Sequence, residues 1–280
     1  MKDVKDWKKI NWIASYPKSG NTWVRCLLDA YFFGELDIND ISSCRADDHV
    51  FWSYPKGSSF IEDAPDEIKL MERTFGLVRS VEGYSSLERA NPMYMKTHTS
   101  LVNVDGQDQV PVILTNSIVY IVRDPRKIVS SYASHFNVSI DTAIEEMSQI
   151  NRALVKKDKM FRMPTIIGSW SFNVASYLNQ KEALDILIVR YEDLVKDTEF
   201  WFTEILKKSL DEVDAQKVKV AVELSKLDKL RKEEEQKGFC ERPEHTTEGF
   251  FGGKRQKPTD KQILTIEETF KEDMKLLGYL

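Results

Sequence analysis

The run Ile13-Ala14-Ser15-Tyr16-Pro17-Lys18-Ser19-Gly20-Asn21-Thr22-Trp23 holds a cation, hydroxyl donors and a single glycine within one short turn. Its pattern predicts a strand, a tight corner and a helix start. At such a corner main-chain N–H groups close around an anion, and the helix dipole favours negative charge there. Lys18 adds positive charge; Ser19 and Thr22 add hydroxyls. The element is a cradle for phosphate or sulfate, and an enzyme that moves such a group is the leading expectation. It departs from the nucleoside-triphosphate loop, in which the lysine follows the second of two glycines; here the lysine precedes the only glycine by two residues.

A second corner of the same kind runs from Ile121 to Tyr132. Arg123 ends a strand, where a planar guanidinium can fork onto a phosphate. Pro125 suits the first turn of a helix, and Ser131 lies two helical turns further on. A third candidate is His98 in Tyr94-Met95-Lys96-Thr97-His98. An unperturbed histidine is largely neutral at cellular pH and can take up a proton. Lys96 beside it, together with Lys18, can stabilise charge on a transferring group. His245 is the reserve candidate for the base.

These residues need a scaffold. Short apolar runs at Trp12 to Ser15, Met93 to Lys96, Ile118 to Val122 and Ile186 to Val189 predict strands; the last two lack polar alternation, as strands covered on both faces do. Helical patterns fall at Trp23 to Phe33, Ile128 to His135, Ile166 to Asn179, Phe200 to Ser209, Asp214 to Leu224 and Asp260 to Leu276, with a charged helix at Leu227 to Lys237. Alternating strands and helices predict an α/β fold with a central, mostly parallel sheet flanked by helices, forming one domain over residues 1–280. Ligands of such sheets sit beyond the carboxyl ends of the strands, where each motif falls. Asp37 to Gly57 and Gly238 to Thr259 are expected to be long loops, of the kind that often serve as lids or binding segments.

Bulk properties narrow the field. The 280 residues are 41% hydrophobic and carry a formal net charge of −5, which speaks against a general nucleic-acid binder and leaves room for a locally basic cleft. Cys26, Cys44 and Cys240 have no metal-ligand spacing, fitting a reducing compartment. Met1 to Trp12 lacks the apolar run of a signal peptide, and no stretch reaches the ~18 apolar residues of a membrane span. A cytoplasmic protein without a metal site is expected.

The pattern Tyr16-Pro17-Lys18-Ser19-Gly20-Asn21-Thr22-Trp23 resembles the 5'-phosphosulfate loop of the cytosolic-type sulfotransferases. These use 3'-phosphoadenosine 5'-phosphosulfate (PAPS) as donor and release 3',5'-ADP (PAP). Arg123 with Ser131 eight positions later resembles that family's 3'-phosphate motif. The resemblance spans about residues 10 to 279. It implies the P-loop-like sulfotransferase architecture, a donor cradle at Lys18, Ser19, Gly20, Asn21 and Thr22, and 3'-phosphate contacts from Arg123 and Ser131. It further implies adenine stacking on Trp23, a hydrogen bond from Tyr191 near the cofactor, and adenine contacts from Ser225 and Leu227, where Leu227 replaces the usual aromatic. Lys96-Thr97-His98 resembles the family's catalytic segment, so His98 is expected to be the general base, with Lys18 and Lys96 as catalytic cations. Gly253, Lys254 and Arg255 stand where the family closes a loop over the 3'-phosphate, in altered order and without the usual tryptophan. The implied acceptor is a hydroxyl group of a small molecule, and second to it an amine. Two rival readings remain: a P-loop-type ATP-dependent kinase, against which the lysine placement and the 3'-phosphate motif speak, and a catalytically idle nucleotide-binding relative, which the altered loop keeps open.

Overall fold

A computed structural model describes residues 10–46, 91–104, 107–154, 165–243, 245, 249–253 and 255–280. Five parallel strands form the central sheet: β1 (Ile10–Ser15), β2 (Cys44–Ala46), β3 (Met93–Thr97), β4 (Thr115–Val122) and β5 (Leu187–Arg190), in the order β2-β3-β1-β4-β5. The chain therefore leaves the central β1 toward one edge and returns to its other side at β4. Such a reversal opens a crevice at the carboxyl ends of the strands.

The sheet is covered on both faces, which is why its strands read as continuous apolar runs. Ile10, Trp12, Ala14 and Tyr16 join Ile118, Tyr120 and Val122 on one face. There they meet α2 (Pro125–Phe136), α3 (Ile140–Ser148), α4 (Trp170–Leu178), α9 (Asp260–Thr269) and α10 (Lys271–Leu276). Ile13, Val119, Ile121 and Val189 face the other way. They pack on α1 (Asn21–Phe33), α6 (Thr198–Lys207), α7 (Ala215–Leu224) and α8 (Leu227–Lys237). The short helix α5 (Tyr191–Lys196) follows β5 directly.

Three expectations change. The segment from Asp37 contributes the edge strand β2, three residues paired in parallel with Tyr94 to Lys96; so short a strand has no periodicity to read. The helix expected from Ile166 begins only at Trp170. Gly168 takes a left-handed φ of 64°, and Ser169 caps the helix by accepting from the Phe172 N–H at 3.0 Å. Ile166 instead lies in a two-residue antiparallel ladder with Ala153. The C-terminal helix divides at Phe270, whose φ of −111° leaves the helical range while its ring is buried against Trp170. Helices α3 and α5 are additional. The described residues of Gly238 to Thr259 carry neither helix nor strand.

Candidate active site

The first corner is shaped by its backbone. Lys18 adopts φ 69° and Gly20 φ 104°. Glycine is required at position 20, because a Cβ there would stand 2.3 Å from Cδ2 of Tyr191. As the N-cap of α1, Gly20 offers no side chain to the helix opening, and the first turn holds no acidic residue. The leading N–H groups of a helix have no intrahelical acceptor, so this opening suits an anion. Asn21 braces the corner by donating to the Ile13 carbonyl at 2.8 Å.

The second corner lies on the neighbouring strand. Asp124 caps α2 by accepting from the Arg126 N–H at 2.9 Å. Arg126 is held by Asp124 at 2.8 Å and by Glu267 at 2.5 Å. Arg123, thus freed from its neighbouring carboxylate, turns to the first corner: its Nη1 donates to the Lys18 carbonyl at 3.2 Å, and its guanidinium stacks 4.3 Å from the centre of the Tyr191 ring. Tyr191 also meets Trp23 edge-on at 5.8 Å. Trp23 donates from Nε1 to the Ser225 carbonyl at 2.8 Å, and Leu227 packs in the same apolar cluster. Thus Lys18, Arg123, Tyr191, Trp23 and Ser225, spread over two hundred residues of sequence, are joined by direct contacts, with Gly20 against Tyr191.

Lys18 is the focus of the charge. Its Nζ lies 3.5 Å from Nδ1 of His135 and 4.0 Å from the centre of the Phe250 ring. Burial, and then Arg255, Lys96 and Arg123, push its pKa down to about 7 from the ordinary 10.5, against an opposing pull from Glu241. Ser131, His135, Arg242 and Arg255 line the same small cleft. Arg255 is fixed by donating to the Gly249 and Phe250 carbonyls at 3.1 and 2.7 Å, and Gly253 donates its N–H to the Gly249 carbonyl at 3.0 Å. The expected role of Lys254 lies outside the described residues.

His98 stands at the end of β3, on the other side of β1. Its Nδ1 lies 2.7 Å from the Ser15 carbonyl oxygen. A carbonyl only accepts, so the proton is assigned to Nδ1 and Nε2 keeps its lone pair. Burial, then Lys96, push the imidazole down to about 3, opposed by the bond to Ser15; the ring stays neutral at physiological pH. Asn173 fixes this turn by donating to the His98 carbonyl at 3.1 Å. His245 sits on the rim, its Nε2 3.3 Å from the Ser134 carbonyl.

His135, Glu241 and Arg242 escape sequence reasoning. His135 follows Ser131 by four positions, so helical spacing puts both on one face of α2; that signal was available. Glu241 was not legible: it meets Thr22, 219 positions earlier, at 3.3 Å, and Arg25 at 2.5 Å.

The fit of this lining to an adenylate carrying two anionic groups can be tested on the polar atoms left over. Ser19 Oγ, Asn21 Oδ1, Arg123 Nε and Ser225 Oγ are buried and have no hydrogen-bond partner among the described residues. Buried polar atoms are normally satisfied, and three of these four are donors. The residues fit such a ligand. Among the described residues no group of three or more His, Cys, Asp or Glu is placed to hold a metal ion, and no helix is long and apolar enough to cross a membrane.

Two cationic strand-end corners thus meet at a helix N-terminus, with a neutral histidine at the end of the adjacent strand. The sulfotransferase domain family matches residues 9–278, and the chain belongs to that family. Among curated relatives, cytosolic sulfotransferase 1 of Danio rerio is 25% identical over 189 residues, 66% of this chain and 54% of the relative. Luciferin sulfotransferase of Photinus pyralis is 24% identical over 188 residues, 66% of this chain and 46% of the relative. The matched stretch thus spans about half the length of these relatives. Retinol dehydratase, solved with retinol and PAP, shares the fold with a TM-score of 0.61 at 16% identity, covering 96% of this chain and 82% of that one.

Proposed function

We propose that this chain transfers a sulfuryl group from PAPS to a hydroxyl of a small-molecule acceptor, with His98 as the general base. The observation that carries this reading is the meeting of the two corners: Arg123 donates to the Lys18 carbonyl at 3.2 Å, while the Nδ1 of His98 is tied to the carbonyl of Ser15, just ahead of the same loop. The family membership supports the reaction class. The relatives' names, a luciferin and two hydroxysteroid sulfotransferases, support a small hydroxylated acceptor. The name of the Danio relative supports a cytosolic setting.

When bound, PAPS would supply the activated sulfuryl group. Lys18, Ser19, Gly20, Asn21 and Thr22 would hold its 5' side, Arg123 and Ser131 its 3'-phosphate, and Trp23, Tyr191, Ser225 and Leu227 its adenine. Gly253 and Arg255, with Lys254, would close over it. Lys18 and Lys96 stabilise negative charge that develops at the reacting centre; fixed cations in a desolvated recess do this without reorganisation. His98, its Nδ1 proton held by the main chain, has Nε2 open to take the acceptor's proton. Burial, and then Lys96 and Lys18, depress its basicity in the free protein, and a bound anion would offset the part due to the lysines. Positioned proton transfer of this kind contributes ~100- to 10,000-fold.

The test is transfer of labelled sulfate from PAPS to a panel of phenols, alcohols and hydroxysteroids. His98→Ala should lower kcat at least ~100-fold while PAP affinity stays near wild type. Transfer that survives His98→Ala at the wild-type rate would falsify the role of the histidine.

A further inference from the structure

The carboxylate of Glu241 stands inside the anion cradle. Its Oε2 accepts from Oγ1 of Thr22 at 3.3 Å, and its Oε1 is paired with Nη1 of Arg25 at 2.5 Å. Thr22 lies in the first turn of α1 and Arg25 one turn further on, so Glu241 occupies the side-chain edge of the helix opening. Lys18, Lys96 and His98 all lie within its electrostatic reach. A carboxylate at a helix N-terminus, hydrogen-bonded to a hydroxyl and paired with a guanidinium, makes the contacts that a phosphate or sulfate oxygen would make there.

The segment that carries Glu241 is anchored independently of this contact. Cys240 donates its N–H to Oδ1 of Asn39 at 2.7 Å, and Asn39 donates to the Gly238 carbonyl at 3.1 Å. Arg242 pairs with Glu234 of α8 at 3.5 Å. These contacts do not involve the Glu241 side chain, so it can leave the cradle while the segment stays docked.

We propose that Glu241 is a built-in competitor for the sulfuryl-donor cradle: its carboxylate takes the Thr22 hydroxyl in the free protein, and an anionic donor binds only as that carboxylate swings out. The inference rests on the reading of this corner as the donor site. Competition of this kind lowers the apparent affinity by the fraction of molecules in which the cradle is open. Glu241 is thereby a determinant of donor affinity that takes no part in the chemistry.

Calorimetric titration with PAP and, separately, with inorganic sulfate tests it on wild type and Glu241→Gln. Glutamine keeps the shape and the hydrogen bond to Thr22 but loses the charge that Arg25 and the cationic recess hold in place. The expected result is PAP binding about tenfold tighter in the variant, corresponding to a roughly tenfold rise in the open fraction, with sulfate binding strengthened in the same sense. Glu241→Ala should bind PAP at least as tightly as the glutamine variant; circular dichroism confirms that both are folded. Unchanged or weaker PAP binding in both folded variants overturns the proposal and makes Glu241 a structural partner of Arg25. If neither wild type nor variant binds PAP, the donor reading fails by itself, and the sulfate titration still decides the role of Glu241: tighter in the variants supports it, unchanged overturns it.

Discussion

At the scale of single residues, charge crowding decides what each group can do. Lys18 is drawn toward neutrality by its burial and by Arg255, Lys96 and Arg123, while Glu241 is held at about 2, because Lys96 and Arg25 outweigh the opposing effect of its burial. The sign for activity follows. With a free-protein pKa of about 7 instead of 10.5, Lys18 is charged below neutrality and loses its proton above it. Capture of an anionic donor needs the charged form, and kcat/KM reports the free enzyme's ionisations. The kcat/KM for PAPS should therefore be flat from about pH 5.5 to 6.5 and fall toward tenfold per unit above about 7.5. His98, near 3, adds no acid limb in that range. Lys18→Arg should abolish the alkaline fall, since a guanidinium stays charged; a pH profile of kcat/KM for both proteins checks this.

At the scale of elements, the strand-to-helix corners set the geometry. Gly20 combines a left-handed φ with contact against Tyr191, whereas Gly34, at the other end of α1, has φ 74° and nothing within 4 Å of an added Cβ. Gly34→Ala should thus cost only backbone strain, ~1 kcal/mol. Gly20→Ala adds the clash, and should destabilise by ~3 kcal/mol or more and, because Tyr191 must move off Arg123, weaken PAP binding as well. Thermal denaturation and PAP titration of the two variants separate strain from loss of the site. Of these elements much was visible in sequence. The corners at Lys18 and Arg123 follow β-branched or apolar runs, and turn chemistry is local. Helix α3 was also within reach, since Ile140, Ala143, Ile144 and Met147 are buried at helical spacing behind the Ser139 cap. Strand β2 was out of reach, for three residues carry no period, and its place is fixed only by pairing with β3.

At the scale of the whole molecule, an acidic protein of net charge −5 gathers Lys18, Lys96, Arg123, Arg242 and Arg255 near the carboxyl ends of its inner strands. The outer wall of that recess is docked by α8: Glu234 accepts from the Phe250 and Phe251 N–H groups at 2.7 and 3.1 Å, and Arg231 donates to the Phe251 carbonyl at 2.7 Å. A ligand seated there would touch segments that are far apart in sequence, from Lys18 to Arg255. PAP at about a hundred times its Kd should add ~2.7 kcal/mol of stability and raise Tm by roughly 5 °C. ATP at the same concentration should produce little shift, because Arg123 would lack the 3'-phosphate, and Arg123→Ala should remove most of the PAP effect. An equal shift with ATP would favour a kinase-like site. Scanning calorimetry with the two nucleotides settles it.

By itself the sequence determined what short-range chemistry determines: the strand-corner-helix units, the cation and hydroxyls each corner presents, and the alternation that demands a covered parallel sheet. Tertiary structure decided what depends on long-range proximity. It brought Glu241 to Thr22 and Arg25, set His135 against Lys18, and joined Arg123 to the Lys18 carbonyl. It also fixed the basicities of Lys18 and His98, because desolvation and neighbouring charge are properties of a place in the fold, and no residue carries them along the chain.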